Sequence, residues 1–157
     1  MTLDVPSNEV DLENWLFRLS DAEYQACARG HHAAGTFHDE QGRGMVNVES
    51  IGGNLIIQHY RAIRTERSDI EMYSASSRVY LLHLVPVPAS VRWLITVRPE
   101  TASSSEFTCT VQVHLHPVLR VMGSFMALGM FLKRHVEEET AGFIADISRK
   151  HRAPPKG

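Results

Sequence analysis

The residues of this chain best suited to chemistry are histidines, and their neighbours decide what each can do. His31 and His32 stand in the run Gly30-His31-His32-Ala33-Ala34-Gly35, with His38 close by. Side chains of adjacent residues diverge, so this pair is not expected to chelate one ion. The small neighbours do leave room for a ligand at a cavity mouth, where an imidazole can exchange a proton near neutral pH. The alternative for the run is a helix stop followed by a loop. His114 and His116 share one side of an alternating segment and could offer two imidazoles to a metal. They share that side with Thr108, Thr110 and Gln112, opposite the apolar positions, and no spacing supplies a third ligand. No metal is assigned.

Carboxylates give no clearer signal: Glu137-Glu138-Glu139 is expected to point mostly to solvent, and Asp39-Glu40 near Gly42 to form a hairpin turn. No nucleophile elbow, phosphate-binding loop, dinucleotide fingerprint or kinase signature occurs, so no catalytic residue and no cofactor is assigned. Polar residues inside extended segments say more. In Asn54 to Thr65, His59 and Arg61 share a side with Leu55, Ile57 and Ile63, while Gln58 and Tyr60 share the other with Ile56. Whichever side faces inward, a polar group enters the core, where it must be hydrogen-bonded or serve a ligand. In Arg78 to Val87, His83 shares its side with Val79, Leu81 and Val85. A satisfied core histidine is the ordinary outcome; where a ligand cavity exists, His59, Arg61, His83 and Trp93 are its expected polar or aromatic lining.

The elements that must position these groups follow from periodicity. Ser20-Asp21-Ala22-Glu23 has the form of a capping box, which starts a helix expected to run through Ala28 and stop at a left-handed Gly30. Leu12 to Leu19 reads equally as helix or edge strand. From Gly44 onwards the pattern is extended: Met45 to Ile51, Asn54 to Thr65, Ile70 to Ser74, Arg78 to Val87, Val91 to Val97 and Glu106 to His116. The separators are Gly52-Gly53, Arg67 to Asp69, Pro86 to Ser90 and Pro99 to Ser105. Connectors this short favour antiparallel neighbours. Phe107, Cys109, Val111, Val113 and Leu115 alternate with polar residues, as do Val91, Trp93, Ile95 and Val97 with Arg92, Leu94, Thr96 and Arg98, so both segments offer an apolar face to one core.

From Val118 to about Lys150 the pattern becomes helical, with Leu128, Leu132, Val136, Thr140, Phe143 and Ile147 along one stripe and Lys133, Glu137, Glu138, Asp146 and Arg149 elsewhere. Its near half is different: Phe125, Met126, Leu128, Met130, Phe131 and Leu132 surround the axis, so something must cover a second apolar face. The N-terminal helix, a partner subunit and a bound lipophile are the three alternatives. The architecture expected is therefore α+β, an antiparallel sheet wrapped around a long C-terminal helix in one domain over residues 1–152, with a disordered tail at 153–157.

Composition narrows the partners. Sixteen Lys and Arg against 18 Asp and Glu leave a net charge of −2, which gives no field for nucleic acid; the Arg61, Arg64 and Arg67 cluster is read as a solvated strand end. The two cysteines, Cys27 and Cys109, have no paired spacing and are expected as buried thiols. The polar opening MTLDVPSNEV lacks the form of a secretory signal, and Val118 to Leu132 is shorter than the ~20 residues of a bilayer span and contains Arg120. A cytoplasmic protein without a transmembrane segment is expected.

The strand VRWLITVRP (91–99), the polar turn, the strand EFTCTVQVHLHP (106–117) and the helix end KRHVEEETAGFIADISRK (133–150) resemble the SRPBCC superfamily, the START and birch-pollen-allergen type of helix-grip fold that includes polyketide cyclases and lipid carriers. The resemblance implies an elongated apolar cavity between sheet and C-terminal helix. It departs at the N-terminus, where no strand and apolar helix pair of the APxxxVW type precedes Ser20. Three readings follow. The first is binding or carriage of an apolar, lipid- or polyketide-like molecule, lined by His59, Arg61, His83, Trp93, Phe125, Leu128, Phe131 and Leu132. The second is a cyclase or aromatase-like enzyme using His59, His83 or Tyr60 as acid and base. The third is a homodimeric interaction module joined through residues 125–132.

Overall fold

The alternation in the last two strands is realised in full. In β6 (Val85–Pro99) Val91, Trp93, Ile95 and Val97 are all buried, and in β7 (Ser105–Leu115) Phe107 faces the same core while Thr108, Thr110, Gln112 and His114 are exposed. The computed structural model describes residues 1–115 and 124–153, with the side chains of residues 115 and 124–128 outside that description. Five more strands complete the sheet: β1 (Thr2–Leu3), β2 (His31–Asp39), β3 (Gly42–Ile51), β4 (Asn54–Glu66) and β5 (Asp69–Leu81). Their order is β1-β7-β6-β5-β4-β3-β2, antiparallel throughout, a meander whose far edge is completed by the N-terminus. Helices α1 (Leu12–Phe17) and α2 (Asp21–Cys27) lie between β1 and β2, and α3 (Ser124–Arg152) closes the inner face. This is the expected α+β helix grip. No helix among the described residues is long and apolar enough to cross a membrane.

Local signals explain most elements. Asp11 accepts a hydrogen bond from the Asn14 amide at 2.9 Å and starts α1, which settles Leu12 to Phe17 as helix. The Ser20–Glu23 capping box forms in both directions. Gly52 and Gly53, at φ 58° and 78°, make the two-residue β3–β4 turn, whose geometry needs positive φ at both central positions.

Several boundaries differ from the sequence expectation. The run after Gly30 is strand β2, not a loop. β5 continues through Ser74 to Leu81 because a bulge absorbs the irregularity: the Ser74 hydroxyl accepts from the His59 amide at 3.0 Å and from Ser77 Oγ at 2.7 Å. The β5–β6 turn falls at Leu82–Leu84, where Leu82 and His83 have φ 49° and 62°, so His83 sits at an exposed turn rather than in a strand. Pro86 and Pro88, expected in a separator, lie within β6 opposite Tyr80 and Arg78 of β5, in the part that pairs only with β5 among the described residues. At the N-terminus a two-residue strand and two short helices stand where the sequence showed no such opening.

The glycine after α2 is not a left-handed cap. A Cβ on Gly30 would lie 2.7 Å from the Ser50 carbonyl oxygen and 3.0 Å from His135 Nδ1, so the residue permits close approach of β2, β3 and α3. Gly142 does the same for α3 against α2, since a Cβ there would stand 2.0 Å from the Cys27 carbonyl oxygen.

The buried stripe of α3 is also rotated from the expected one. His135, Glu139, Thr140, Phe143, Asp146 and Ile147 are buried, while Leu132 and Val136 are half-buried. Asp146 is accommodated because the Trp15 indole N–H donates to it at 2.9 Å and Lys150 Nζ lies 2.9 Å away. Glu139 and His135 need a different account. Residues 154–157 of the expected tail at 153–157 and the stretch 116–123 lie outside the described residues.

Candidate functional site

Four buried side chains from three elements converge on one point beneath α3: His31 of β2, Glu49 of β3, and His135 and Glu139 of α3. One ligand atom from each lies within 4.8 Å of all the others. His135 and Glu139 stand one helical turn apart and so share a face. His31 and Glu49 are cross-strand partners, and a bulge makes them so. From Asp39↔Gly42 up to Ala33↔Val48 the β2–β3 register is regular, and its continuation would set His32 opposite Glu49. The shift between His31 and Ala33 sets His31 there instead, turning it inward while His32 is exposed and meets Ser50 Oγ at 2.8 Å.

The surroundings fix the orientation of each group. His31 Nδ1 lies 2.7 Å from the Tyr24 carbonyl oxygen, which can only accept, so Nδ1 carries the proton and Nε2 presents a lone pair. The His31 ring stacks on Tyr24 with centroids 3.8 Å apart. The Tyr24 hydroxyl donates to Glu49 Oε1, which also meets Asn47 Nδ2 at 3.5 Å. Cys109 Sγ lies 3.7 Å from Glu139 Oε2 and accepts from the Trp93 indole N–H at 3.2 Å. The remaining atoms face each other: His31 Nε2 is 3.5 Å from Glu139 Oε1, and His135 Nε2 is 3.6 Å from Glu49 Oε2. Neither contact is a hydrogen bond, and both ring nitrogens are buried without a partner among the described residues.

The electrostatics follow from burial. Desolvation pushes the Glu139 carboxyl up to about 7, although His135 and Cys109 pull it down. Glu49 is raised by burial and by the Glu139 charge, with His135 and His31 opposing. Burial lowers His31 against the pull of Glu49, so the imidazole is held neutral. Burial also raises the Cys27 thiol to about 12 and holds Cys109 well up, which makes both cysteines inert.

Beside the quartet lies a cavity of about 20 Å³, room for about one water. From the inner face of the sheet it is lined by Asn47, Glu49, Ile51, Ile56, Gln58, Tyr60, Val79, Trp93 and Val113, and from α3 by Leu132, His135 and Glu139, so polar and aliphatic side chains adjoin on both walls. The Asn47 and Gln58 side-chain oxygens are buried there without a partner among the described residues.

Of the lining expected from sequence, Trp93 and Leu132 reach this cavity. His59 and Arg61 sit on the opposite face of the sheet, because β4 turns Ile56, Gln58 and Tyr60 inward; Arg61 binds Asp39 there at 2.7 Å. His83 is at the β5–β6 turn, and Phe131 is partly exposed against Gly52. Phe125 and Leu128 lie in the first turns of α3, outside the side chains described. Of the three proton carriers expected for a cyclase-type reaction, only Tyr60 borders the cavity. His114 is exposed, and His116 lies outside the described residues. Sequence reading missed all four members of the quartet as a group. The i, i+4 pair His135/Glu139 was the one signal available, and the acidic run around Glu139 masked it.

No protein-family model matches the chain, and no curated protein matches it in sequence. Its structure is similar to that of a conserved protein from Geobacillus kaustophilus, at 12% identity and TM-score 0.66 over 96% of this chain and 93% of that one. It is also similar to a START superfamily protein from Mycobacterium smegmatis, at 11% identity and TM-score 0.50 over 88% of this chain and 94% of that one. At such identities the likeness concerns architecture: the chain has the START-type helix-grip fold that its last two strands and C-terminal helix resemble.

Proposed function

We propose that the chain binds a small, largely apolar molecule carrying a hydrogen-bond donor, held between the sheet and α3. The observation that supports this most is the mixed lining of the cavity, in which aliphatic side chains adjoin Asn47 and Gln58, whose amide oxygens are buried with no partner among the described residues. A buried acceptor left without a donor costs roughly 1–3 kcal/mol, so a ligand hydroxyl or amide is the group those oxygens are suited to receive. The START superfamily neighbour supports the reading at the level of fold. The cavity of about 20 Å³ is far below the ~300 Å³ of an ordinary ligand pocket. Entry of anything beyond water therefore requires Leu132 of α3 to lift from Ile51, Ile56 and Val79.

The test is native mass spectrometry of freshly purified protein, before and after solvent extraction, followed by exposure to long-chain alcohols, which combine an apolar body with one hydroxyl. An adduct lost on extraction, and alcohol uptake weakened by Gln58→Leu, is the expected result. A bare-chain mass with no uptake by the folded protein sinks the reading. A dimer mass in the same spectrum would assign the exposed Met130 and Phe131 to a subunit seam, the role a homodimeric module requires.

A further inference from the structure

We propose that His31, Glu49, His135 and Glu139 form a binding site for one divalent first-row transition-metal ion, with zinc the first choice. Three independent features point there. The first is the donor set. Two imidazole nitrogens and two carboxylate oxygens, all from buried side chains, lie within 4.8 Å of one another. Tetrahedral coordination at ~2.0–2.2 Å puts ligand atoms roughly 3.3–3.6 Å apart. The contacts His31 Nε2 to Glu139 Oε1 and His135 Nε2 to Glu49 Oε2, at 3.5 and 3.6 Å, already have that spacing. Small side-chain rotations draw in the others.

The second feature is the unpartnered nitrogens. The side chains of His31 and His135 are 0% and 8% exposed, and the Nε2 atom of each points at the shared centre with no hydrogen-bond partner among the described residues. A ring nitrogen buried this way is ordinarily satisfied, so its lone pair calls for a proton donor or a cation.

The third is the arrangement behind the ligands. Metal-binding imidazoles and carboxylates have their far atoms tied by hydrogen bonds, which leaves the near atom free to ligate. His31 Nδ1 is held by the Tyr24 carbonyl, Glu49 Oε1 by the Tyr24 hydroxyl and Asn47, and Glu139 Oε2 by Cys109. In each case the atom left over is the one facing the centre. Charge agrees: two carboxylates and one divalent cation sum to zero, the state a water-excluded site favours. The mix of imidazole and carboxylate fits zinc, iron or manganese better than the all-oxygen shells of calcium and magnesium.

The experiment uses the full chain, stripped with a chelator and titrated with Zn²⁺ against a chromophoric competitor, then with Co²⁺ followed by visible absorption. One equivalent of Zn²⁺ is expected, with an intense tetrahedral Co²⁺ band that Zn²⁺ displaces. His135→Gln and Glu139→Gln should each weaken Zn²⁺ binding at least tenfold and alter the Co²⁺ band. His59→Ala, on the outer face, should leave both readouts unchanged. No stoichiometric uptake by the folded wild type overturns the proposal. So does unchanged Zn²⁺ binding in a folded His135→Gln or Glu139→Gln protein, or loss of binding in His59→Ala. Thermal unfolding of each variant identifies any that fails to fold, and the wild-type titration decides the matter without them.

Discussion

Glu139→Gln, made in the chelator-treated protein, is expected to raise stability at pH 8 and leave it nearly unchanged at pH 4.5. Glu139 is 3% exposed, and burial holds its carboxyl up at about 7 against the ordinary 4.5, with His135 and Cys109 pulling the other way. The unfolded chain has the lower value, so the folded chain binds this proton more tightly. Stability therefore falls as pH rises from 4.5 to about 7, and the full penalty is present above that. At about 1.4 kcal/mol per pH unit, the interval amounts to about 3 kcal/mol. The amide introduces no new unsatisfied atom: its N–H can donate to His31 Nε2, which Glu139 Oε1 already faces at 3.5 Å, and its oxygen can accept from Cys109. Glu49, raised in part by the Glu139 charge, relaxes in the same direction. For a chain of this size ~3 kcal/mol corresponds to roughly 6–12 °C in Tm. Urea denaturation and thermal scans at both pH values measure it. Equal stability of wild type and variant at pH 8, or the same change at pH 8 and pH 4.5, would refute the reasoning.

Two further perturbations test the scaffold. Gly142→Ala on an unhindered helix would stabilise by about 1 kcal/mol, but here the new Cβ meets Cys27 backbone atoms at 2.0 and 2.6 Å, which cannot swing away. A net loss of roughly 1–3 kcal/mol in urea denaturation is expected, and a gain would show that α3 does not press on α2 at that point. Ser20→Ala removes the capping box and should destabilise by about 1 kcal/mol near neutral pH. Burial raises the Glu23 carboxyl, but the Ser20 amide and Lys150, 3.0 Å away, more than offset this and hold it at about 2. That contribution is present above pH 4.5 and is lost as pH falls toward 2. The Ser20→Ala protein keeps the backbone amide and Lys150 and loses only the hydroxyl contact, so its acid limb should be only slightly shallower than that of the wild type, and a flat one would remove the amide and Lys150 from the account.

What could be read from sequence was what depends on neighbours in the chain. The period of two in β6 and β7 survives because both strands have one dry face, and the Ser20–Glu23 box needs only four consecutive residues. Gly52-Gly53 announced its turn for the same reason. What failed depends on register and on the far side of the core. A single bulge decides whether His31 or His32 faces inward, and nothing in Gly30 to Gly35 encodes it. The inner face of β4 was open until β3 and β5 fixed it, which sent His59 and Arg61 outward and Gln58 inward. The face of α3 was misjudged because polarity was taken as a sign of exposure. Glu139 and Asp146 are buried, one among the quartet and the other held by Trp15 and Lys150.

The burial of these carboxylates on α3 has a physical meaning. A chain that needed only a core at this point would gain by placing leucine or phenylalanine on α3, since buried carboxylates and orphaned imidazoles oppose folding. Here the cost is concentrated, because Asp146 is compensated by Trp15 and Lys150, while Glu49, Glu139 and His31 are hydrogen-bonded on their outer atoms and the Nε2 atoms of His31 and His135 have no hydrogen-bond partner among the described residues. Tyr24, Asn47 and Cys109 occupy the outer positions of His31, Glu49 and Glu139 and thereby direct their inner atoms toward the centre that His135 Nε2 also faces. Energy held against folding in so directed a form is characteristic of binding sites rather than of cores. Three of the same four residues, Glu49, His135 and Glu139, line the neighbouring cavity, so a molecule lodged there between sheet and helix would lie directly beside that centre.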